Sequence, residues 1–315
     1  MKVLKKTQII AQQQEDNINT EIKVLKNIKH PFLLRAHYVF QTESKIYLVL
    51  DYYRYGDLMS HLKLKKKFTE IETKHIISEV ALAIGCLHSG GIVYRDLKPE
   101  NLLMDALGHI CLCDFGLCKK LDRNDTMTTF CGTPDYLAPE ILRRDAYDKM
   151  VDWWSYGILL FELIVGIVPF YSSSNMKMYQ KIKEQKLMFP SYLSEDLEDL
   201  IRKLLNRDPT QRLGCNQDIN DIRQHLWFND MDWIKLKKKE IEPPYRPGIY
   251  RPNTNNTLLS TDDEQYYSDY NNNKSIYTDH DNDYDQNIGY NHDINNMELT
   301  PTPNLDKGLL VNYAI

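Results

Sequence analysis

One stretch narrows the folding options of this chain more than any other: Tyr94-Arg95-Asp96-Leu97-Lys98-Pro99-Glu100-Asn101, with Asp114-Phe115-Gly116 a short way downstream. Together they hold four side chains of complementary chemistry. A serine or threonine hydroxyl is a poor nucleophile near neutral pH, and a carboxylate such as Asp96 suits the task of orienting it and taking its proton. Lys98, two residues on, can face the same cleft and neutralise charge that builds up there. Asn101 and Asp114 supply the hard oxygen atoms that Mg2+ prefers. Short polar residues beside loops usually do no more than cap turns. Here two further motifs follow in order, Ala138-Pro139-Glu140 and Asp152-Trp153-Trp154-Ser155-Tyr156-Gly157, a succession very hard to obtain by chance.

In this order the motifs resemble those of protein kinases, and several features narrow the resemblance to the AGC group of serine/threonine kinases. Tyr94 stands in place of the usual histidine before Arg95. Gly116-Leu117-Cys118-Lys119, Thr129-Phe130-Cys131-Gly132-Thr133-Pro134 and Asp152-Trp153-Trp154 point the same way, as does Pro243-Pro244-Tyr245-Arg246-Pro247, which resembles the opening of the group's C-terminal extension. The RAC-, S6- and protein-kinase-C-like members are the nearest in kind. The resemblance covers roughly residues 1 to 250. It implies an α+β, bilobal kinase domain at 1–228, with a small β-containing lobe at about 1–52 and a large, mainly α-helical lobe at about 53–228. A C-terminal tail would occupy 229–315. It also implies ATP as phosphoryl donor, Mg2+ as the metal, and serine or threonine hydroxyls of proteins as acceptors.

Residue roles carry over in the same way. Lys2 falls where kinases place the lysine that holds the α- and β-phosphates, and Glu21 where its helix partner sits. Leu50 matches the gatekeeper position, while Asp51 and Tyr53 match hinge residues whose backbone groups bond adenine. Asn101 and Asp114 are the implied Mg2+ ligands. Thr133 resembles the threonine that bonds the catalytic aspartate and lysine, and Glu140 and Arg212 match a buried ion pair bracing the large lobe. Asp57 matches a carboxylate near the ribose and the basic residues of substrates, with Glu100 as its companion. Two carboxylates at the cleft mouth favour substrates with arginine or lysine upstream of the target hydroxyl. Following Gly56, Asp57 reads equally well as a helix N-cap, and the two readings are compatible.

Regulation is implied too. Thr129 occupies the activation-loop position that an upstream kinase phosphorylates in this group. A phosphate there adds roughly two negative charges, which Arg95 and Lys119 are placed to clamp. The group often adds a histidine four residues before the helix glutamate, whereas Asn17 stands there in this chain and contributes no charge. In the tail, Thr300-Pro301-Thr302-Pro303 resembles a turn motif, making Thr300 and Thr302 regulatory sites. No clear aromatic hydrophobic motif follows, and Tyr266-Tyr267-Ser268-Asp269 matches the ATP-contacting part of the tail only faintly.

Composition bounds the rest. With 315 residues, 42% of them hydrophobic and 26% charged, the chain can bury a large core. The longest apolar stretch, Gly157 to Phe170, contains Glu162 and is too short to span a bilayer. No signal peptide is visible. Six cysteines sit singly, without the paired spacing of a zinc site or disulfide framework, so a cytoplasmic setting, with the nucleus also compatible, is expected for a monomer. The basic run Lys63-Leu64-Lys65-Lys66-Lys67 reads as a solvated helix end or loop, because nucleic-acid binding needs a broader patch. From Asn253 to Thr300 ten acidic residues face Lys274 alone, giving −9; the whole chain is −5, so the remainder is +4. Rich in Asn and Tyr and poor in aliphatics, this segment is expected to be disordered, as a solvated tail or as an acidic arm that docks on the basic core.

Periodicity places the motifs. Glu15 to Asn27 has helical spacing, Ile46 to Leu50 is a short strand-like run, and Glu72 to His88 is a helix leading to Tyr94. A hairpin-like stretch reaches Asp114, and Val151 to Val165 is a buried helix. No Gly-x-Gly-x-x-Gly occurs. The chain begins at the strand of Lys2, so an incomplete N-terminus, a fraying Lys2 and an unpaired sheet edge are expected. Two functions therefore compete: an active serine/threonine kinase, favoured by intact Asp96, Lys98, Asn101 and Asp114, and a catalytically impaired scaffold that keeps the fold for docking.

Overall fold

The computed structural model describes residues 1–121 and 126–247. By internal contact the chain divides into Met1–Thr254 and Asn255–Ile315, and everything described lies in the first unit. The segment expected to be disordered from about 253, with Thr300, Thr302 and Tyr266–Asp269, lies outside the described residues.

The small lobe is built on a three-stranded antiparallel sheet. Its strands β1 (Lys2–Lys5), β2 (Ala36–Gln41) and β3 (Lys45–Leu50) lie in the order β1-β3-β2. Alternation explains β3, which buries Ile46 and Leu48 and leaves their neighbours half covered. Lys2 pairs with Leu48, so the phosphate-site candidate is held in register by the sheet, and β1 forms an edge as expected. Between β1 and β2 run α1 (Lys6–Ala11) and α2 (Glu15–Asn27). Helix α2 buries Ile18, Ile22 and Leu25, the residues whose spacing predicted it, and it also buries Glu21.

The large lobe is helical, apart from short strands at the cleft. Helix α3 (Leu58–Lys65) leads into α4 (Glu70–Ser89), which starts on a capping box: the Glu72 amide donates to Thr69 Oγ1, and the Thr69 amide donates to the Glu72 carboxylate. Two short antiparallel pairs follow, β4 (Ile92–Val93) with β7 (Lys119–Lys120) and β5 (Leu102–Met104) with β6 (Ile110–Leu112). The second is the hairpin anticipated before Asp114. Then come α5 (Pro139–Arg143), α6 (Met150–Val165), α7 (Asn175–Glu184), α8 (Glu195–Leu204), α9 (Ile219–Arg223) and α10 (Trp233–Lys237).

Helix α6 is buried on every side and packs between α4 and α8. Each of its buried aliphatic side chains contributes about 1.5–3 kcal/mol, which offsets the cost of enclosing Asp152 and Glu162 in the same helix. Among the described residues no helix is long and apolar enough to cross a membrane. One backbone stitch joins the lobes and a second ties the connection between them to the large lobe. The Leu34 amide donates to Leu112 O at 2.9 Å and the Leu112 amide to Phe32 O at 2.9 Å, while the Met104 amide reaches Gly56 O at 3.0 Å. Both stitches lie beside β5 and β6, so the bilobal expectation is met and the cleft opens where Asn101 and Asp114 emerge.

Candidate active site

The two strands of the β5–β6 hairpin carry the cleft residues. Asn101 ends the 3-10 turn Pro99–Asn101 just before β5, and Asp114 follows β6. The Cys113 amide donates to Asn101 O at 2.9 Å and locks the two segments together. Asp114 and Arg95 both adopt left-handed backbone, φ 55 and 70, a conformation that is costly for residues other than glycine and clusters at functional sites.

Four of the predicted catalytic side chains form one closed network. Thr133 Oγ1 donates to Asp96 Oδ1 at 2.7 Å. Lys98 Nζ donates to Thr133 Oγ1 at 2.8 Å and pairs with Asp96 Oδ2 at 2.9 Å. Asn101 Nδ2 donates to Asp96 Oδ2 at 3.0 Å and to Asp96 O at 2.8 Å. Thr133 reaches the network because Gly132, at φ 116, passes so close to the catalytic loop that a side chain there would meet Arg95 O and Leu137.

Across the cleft, Lys2 Nζ bonds Glu21 Oε1 at 2.7 Å, joining β1 to α2. Cys113 marks where these groups converge. Burial pushes its thiol up to about 12, with the charges of Asp114, Lys2, Asp57 and Glu21 all felt there. A thiol held protonated in this way acts as a packing residue and not as a nucleophile.

The donor set fits Mg2+. Asn101 spends its amide nitrogen on Asp96, which leaves its carbonyl oxygen as the ligand. Asp114 is exposed to the cleft, and Gly116 donates to only one of its oxygens, Oδ1, at 3.2 Å. Both offer the hard oxygens this ion takes.

Leu50 ends β3, and Asp51 and Tyr53 lie on the connection between lobes, where Asp51 is bonded by His37. Asp57 caps α3, accepting from the Ser60 amide at 2.8 Å, and α3 packs against the turn that carries exposed Glu100. Asp57 thus takes the N-cap role that was one of its two readings. Thr129 is exposed. The Tyr147 hydroxyl donates to its carbonyl at 2.7 Å and in turn accepts from Arg95 at 3.3 Å. Arg95 also donates to Leu117 O at 2.7 Å, while Lys119 lies exposed on β7.

The sequence reading named Asp152 within a motif without giving it a role, and it missed the roles of His88 and Glu162. Asp152 accepts from the backbone amides of Tyr94 and Arg95, both at 2.8 Å, and so sets the catalytic-loop conformation from inside α6. His88 bridges Asp152 and Asp218 at 2.8 and 2.9 Å. Burial opposes its charge, yet the two carboxylates prevail and raise it to about 9. Glu162, noted in the sequence only as a charge interrupting an apolar run, accepts from the Tyr136 hydroxyl. Burial lifts its carboxyl to about 7 against that hydrogen bond, with Glu100 and Asp135 adding to the rise. A carboxylate inside an apolar helix was the available signal for Glu162, and for Asp152 it stood beside the motif that begins there.

A two-lobed fold with this cleft is the architecture of a kinase, and the family model described as a protein kinase domain matches residues 1–228; the chain belongs to that family. Within it the chain falls in the AGC group. Serine/threonine-protein kinase Sgk1 of Fundulus heteroclitus is 46% identical over 255 residues, 80% of this chain and 59% of that protein. The RAC family serine/threonine-protein kinase homolog of Dictyostelium discoideum is 47% identical over 251 residues, 79% of this chain and 56% of that protein. Serine/threonine-protein kinase Sgk2 of Homo sapiens is 45% identical over 254 residues, 80% and 69% of the two chains. The chain therefore spans somewhat over half the length of the first two.

Proposed function

We propose that this chain transfers the γ-phosphate of ATP to serine or threonine hydroxyls of proteins that carry basic residues upstream of the target. The closed network of Asp96, Lys98, Asn101 and Thr133 supports the reading. Asp96 is held by Thr133 and Asn101 so that its carboxylate can orient an incoming hydroxyl and accept its proton. Lys98 donates into the same network and is placed to meet charge on the transferred phosphoryl oxygens. Asn101 and Asp114 would hold Mg2+, which supplies charge neutralisation of the phosphates. Lys2, held by Glu21, would position the α- and β-phosphates.

The basic preference rests on four acids, Asp57, Glu100, Asp135 and Glu162, of which Glu100 and Asp135 both raise the buried carboxyl of Glu162. A guanidinium among them is matched bidentately by carboxylates. Thr129 is the proposed site of an activating phosphate from an upstream kinase, with Arg95 reaching its segment through Tyr147.

The test is phosphotransfer by the full-length protein to a serine peptide with upstream arginines, in ATP and Mg2+, beside its Asp96→Asn variant. Loss of at least a hundredfold is expected, within the range for a general base; equal rates reject Asp96 in that role. The affinity for the arginine peptide should strengthen as pH rises through about 7, where Glu162 becomes charged, and Glu162→Gln should flatten that profile.

A further inference from the structure

Outside the cleft, His75 and Glu79 of α4 meet His109, which stands just before β6. Local structure sets their spacing. Residues four apart share a helix face, and His75 Nε2 lies 3.1 Å from Glu79 Oε1. On the hairpin, Asp105 accepts from the His109 amide at 3.0 Å and Gly108 turns at φ 97. This tight turn carries His109 back to α4, with Nδ1 2.6 Å from the same Oε1. The Ile110 amide donates to Glu79 Oε2 at 2.8 Å and so aims Oε1 at both rings. All three side chains are buried, and their donor atoms lie within 4.8 Å of one another.

The geometry points to a Zn2+ site formed by His75 Nε2, Glu79 Oε1 and His109 Nδ1, with water as the fourth ligand. Phosphoryl transfer has no use for these groups. Two imidazoles with one carboxylate suit Zn2+ and disfavour Mg2+, which prefers oxygen donors and bound water. Bonds of about 2.0–2.1 Å in a tetrahedron set the donors about 3.3 Å apart. The His75–Glu79 separation of 3.1 Å nearly meets that spacing, and the His109 ring moves outward from 2.6 Å. Zn2+ takes each ring through the nitrogen that faces Glu79, and any proton carried there passes to the other nitrogen of the same ring or to solvent. The ion would fasten α4, which feeds the catalytic loop, to β6, which feeds Asp114.

The experiment uses untagged full-length protein, stripped with a chelator and titrated with Zn2+ or Mg2+. Expected are about one Zn2+ per chain and a rise in Tm of about 5 °C at a hundredfold excess over Kd, absent with Mg2+. His75→Phe keeps a ring at that position and keeps the Glu79 bonds to His109 and Ile110, and it should abolish the rise. No Zn2+-specific rise in the unaltered protein, or an undiminished one in His75→Phe, overturns the site and leaves a hydrogen-bonded brace. If His75→Phe does not fold, X-ray absorption of the Zn2+-loaded unaltered protein counts the imidazoles: two support the site, one or none overturns it.

Discussion

Lys2 and Glu21 in the small lobe meet at a single 2.7 Å contact, with the lysine side chain 40% exposed, whereas Arg212 and Glu140 in the large lobe share two hydrogen bonds of 2.6 and 2.9 Å, 0% and 2% exposed. The arginine is also satisfied elsewhere, donating to Met150 O and Asn206 O and lying over the Trp154 ring. A one-point pair whose lysine is in reach of water parts more easily than a two-point one, even though its glutamate, 4% exposed, is buried. A two-point pair enclosed by apolar helices cannot open without stranding a charge. The small lobe thus holds its helix α2 by a contact that suits adjustment, and the large lobe holds α5 against the segment before α9 by one that suits permanence.

That contrast is open to attack in order of size. Arg212→Ala should cost about 3–5 kcal/mol, because Glu140 is left buried and unpaired; urea unfolding measures it, and a loss below 1 kcal/mol would erase the distinction between the lobes. The His88 bridge is intermediate. Burial opposes the Asp218 charge, yet its hydrogen bond and ion pair with His88, helped by Lys149, bring it down to about 2. Its contribution is therefore present above the ordinary value of 3.8 and disappears as pH falls through about 2. His88, raised to about 9, contributes fully below 6.5 and loses that contribution as pH climbs through about 9. Asp218→Asn should cost about 2 kcal/mol at pH 7 and reduce the alkaline loss, read from chemical unfolding at pH 7 and 9.5. An unchanged alkaline profile would detach His88 from Asp218. Smallest in stability is Lys2→Met, at about 1–2 kcal/mol, because Glu21 is buried and loses its partner while the lysine side of the pair stands open to water, although phosphotransfer should fall with it. If its unfolding midpoint dropped as far as that of Arg212→Ala, the two pairs would be equivalent after all.

The legible part of the site was the part written in short segments. Asp96, Lys98, Asn101 and Asp114 sit within one loop and one hairpin, so their types and order carried their chemistry; in the fold Asp96, Lys98 and Asn101 bond one another and Thr133, while Asp114 stands apart at the end of the hairpin. Helices α2, α4 and α6 were readable from apolar spacing, to within two residues at each end. Strand β2 was not anticipated, since Ala36–Gln41 leaves most of its residues outside the core and shows no alternation of apolar and polar types. The braces were invisible for another reason. Tyr94 and Asp152 are 58 positions apart, and His88 and Asp218 are 130 apart, so nothing local ties them together. Arg95 was read as a phosphate clamp, and in the fold it already serves Leu117 and Tyr147, a competition between partners that no single residue announces.

Asp152 grips the chain at 94 and 95 by peptide nitrogens alone. Every amino acid except proline offers that handle, so the loop's shape does not depend on what residue 94 presents. A phenol can sit there, and in this chain its hydroxyl bonds the Cys113 carbonyl while its ring meets Phe115 edge-on. Freedom at one position becomes a rivet between the two loops that must act together.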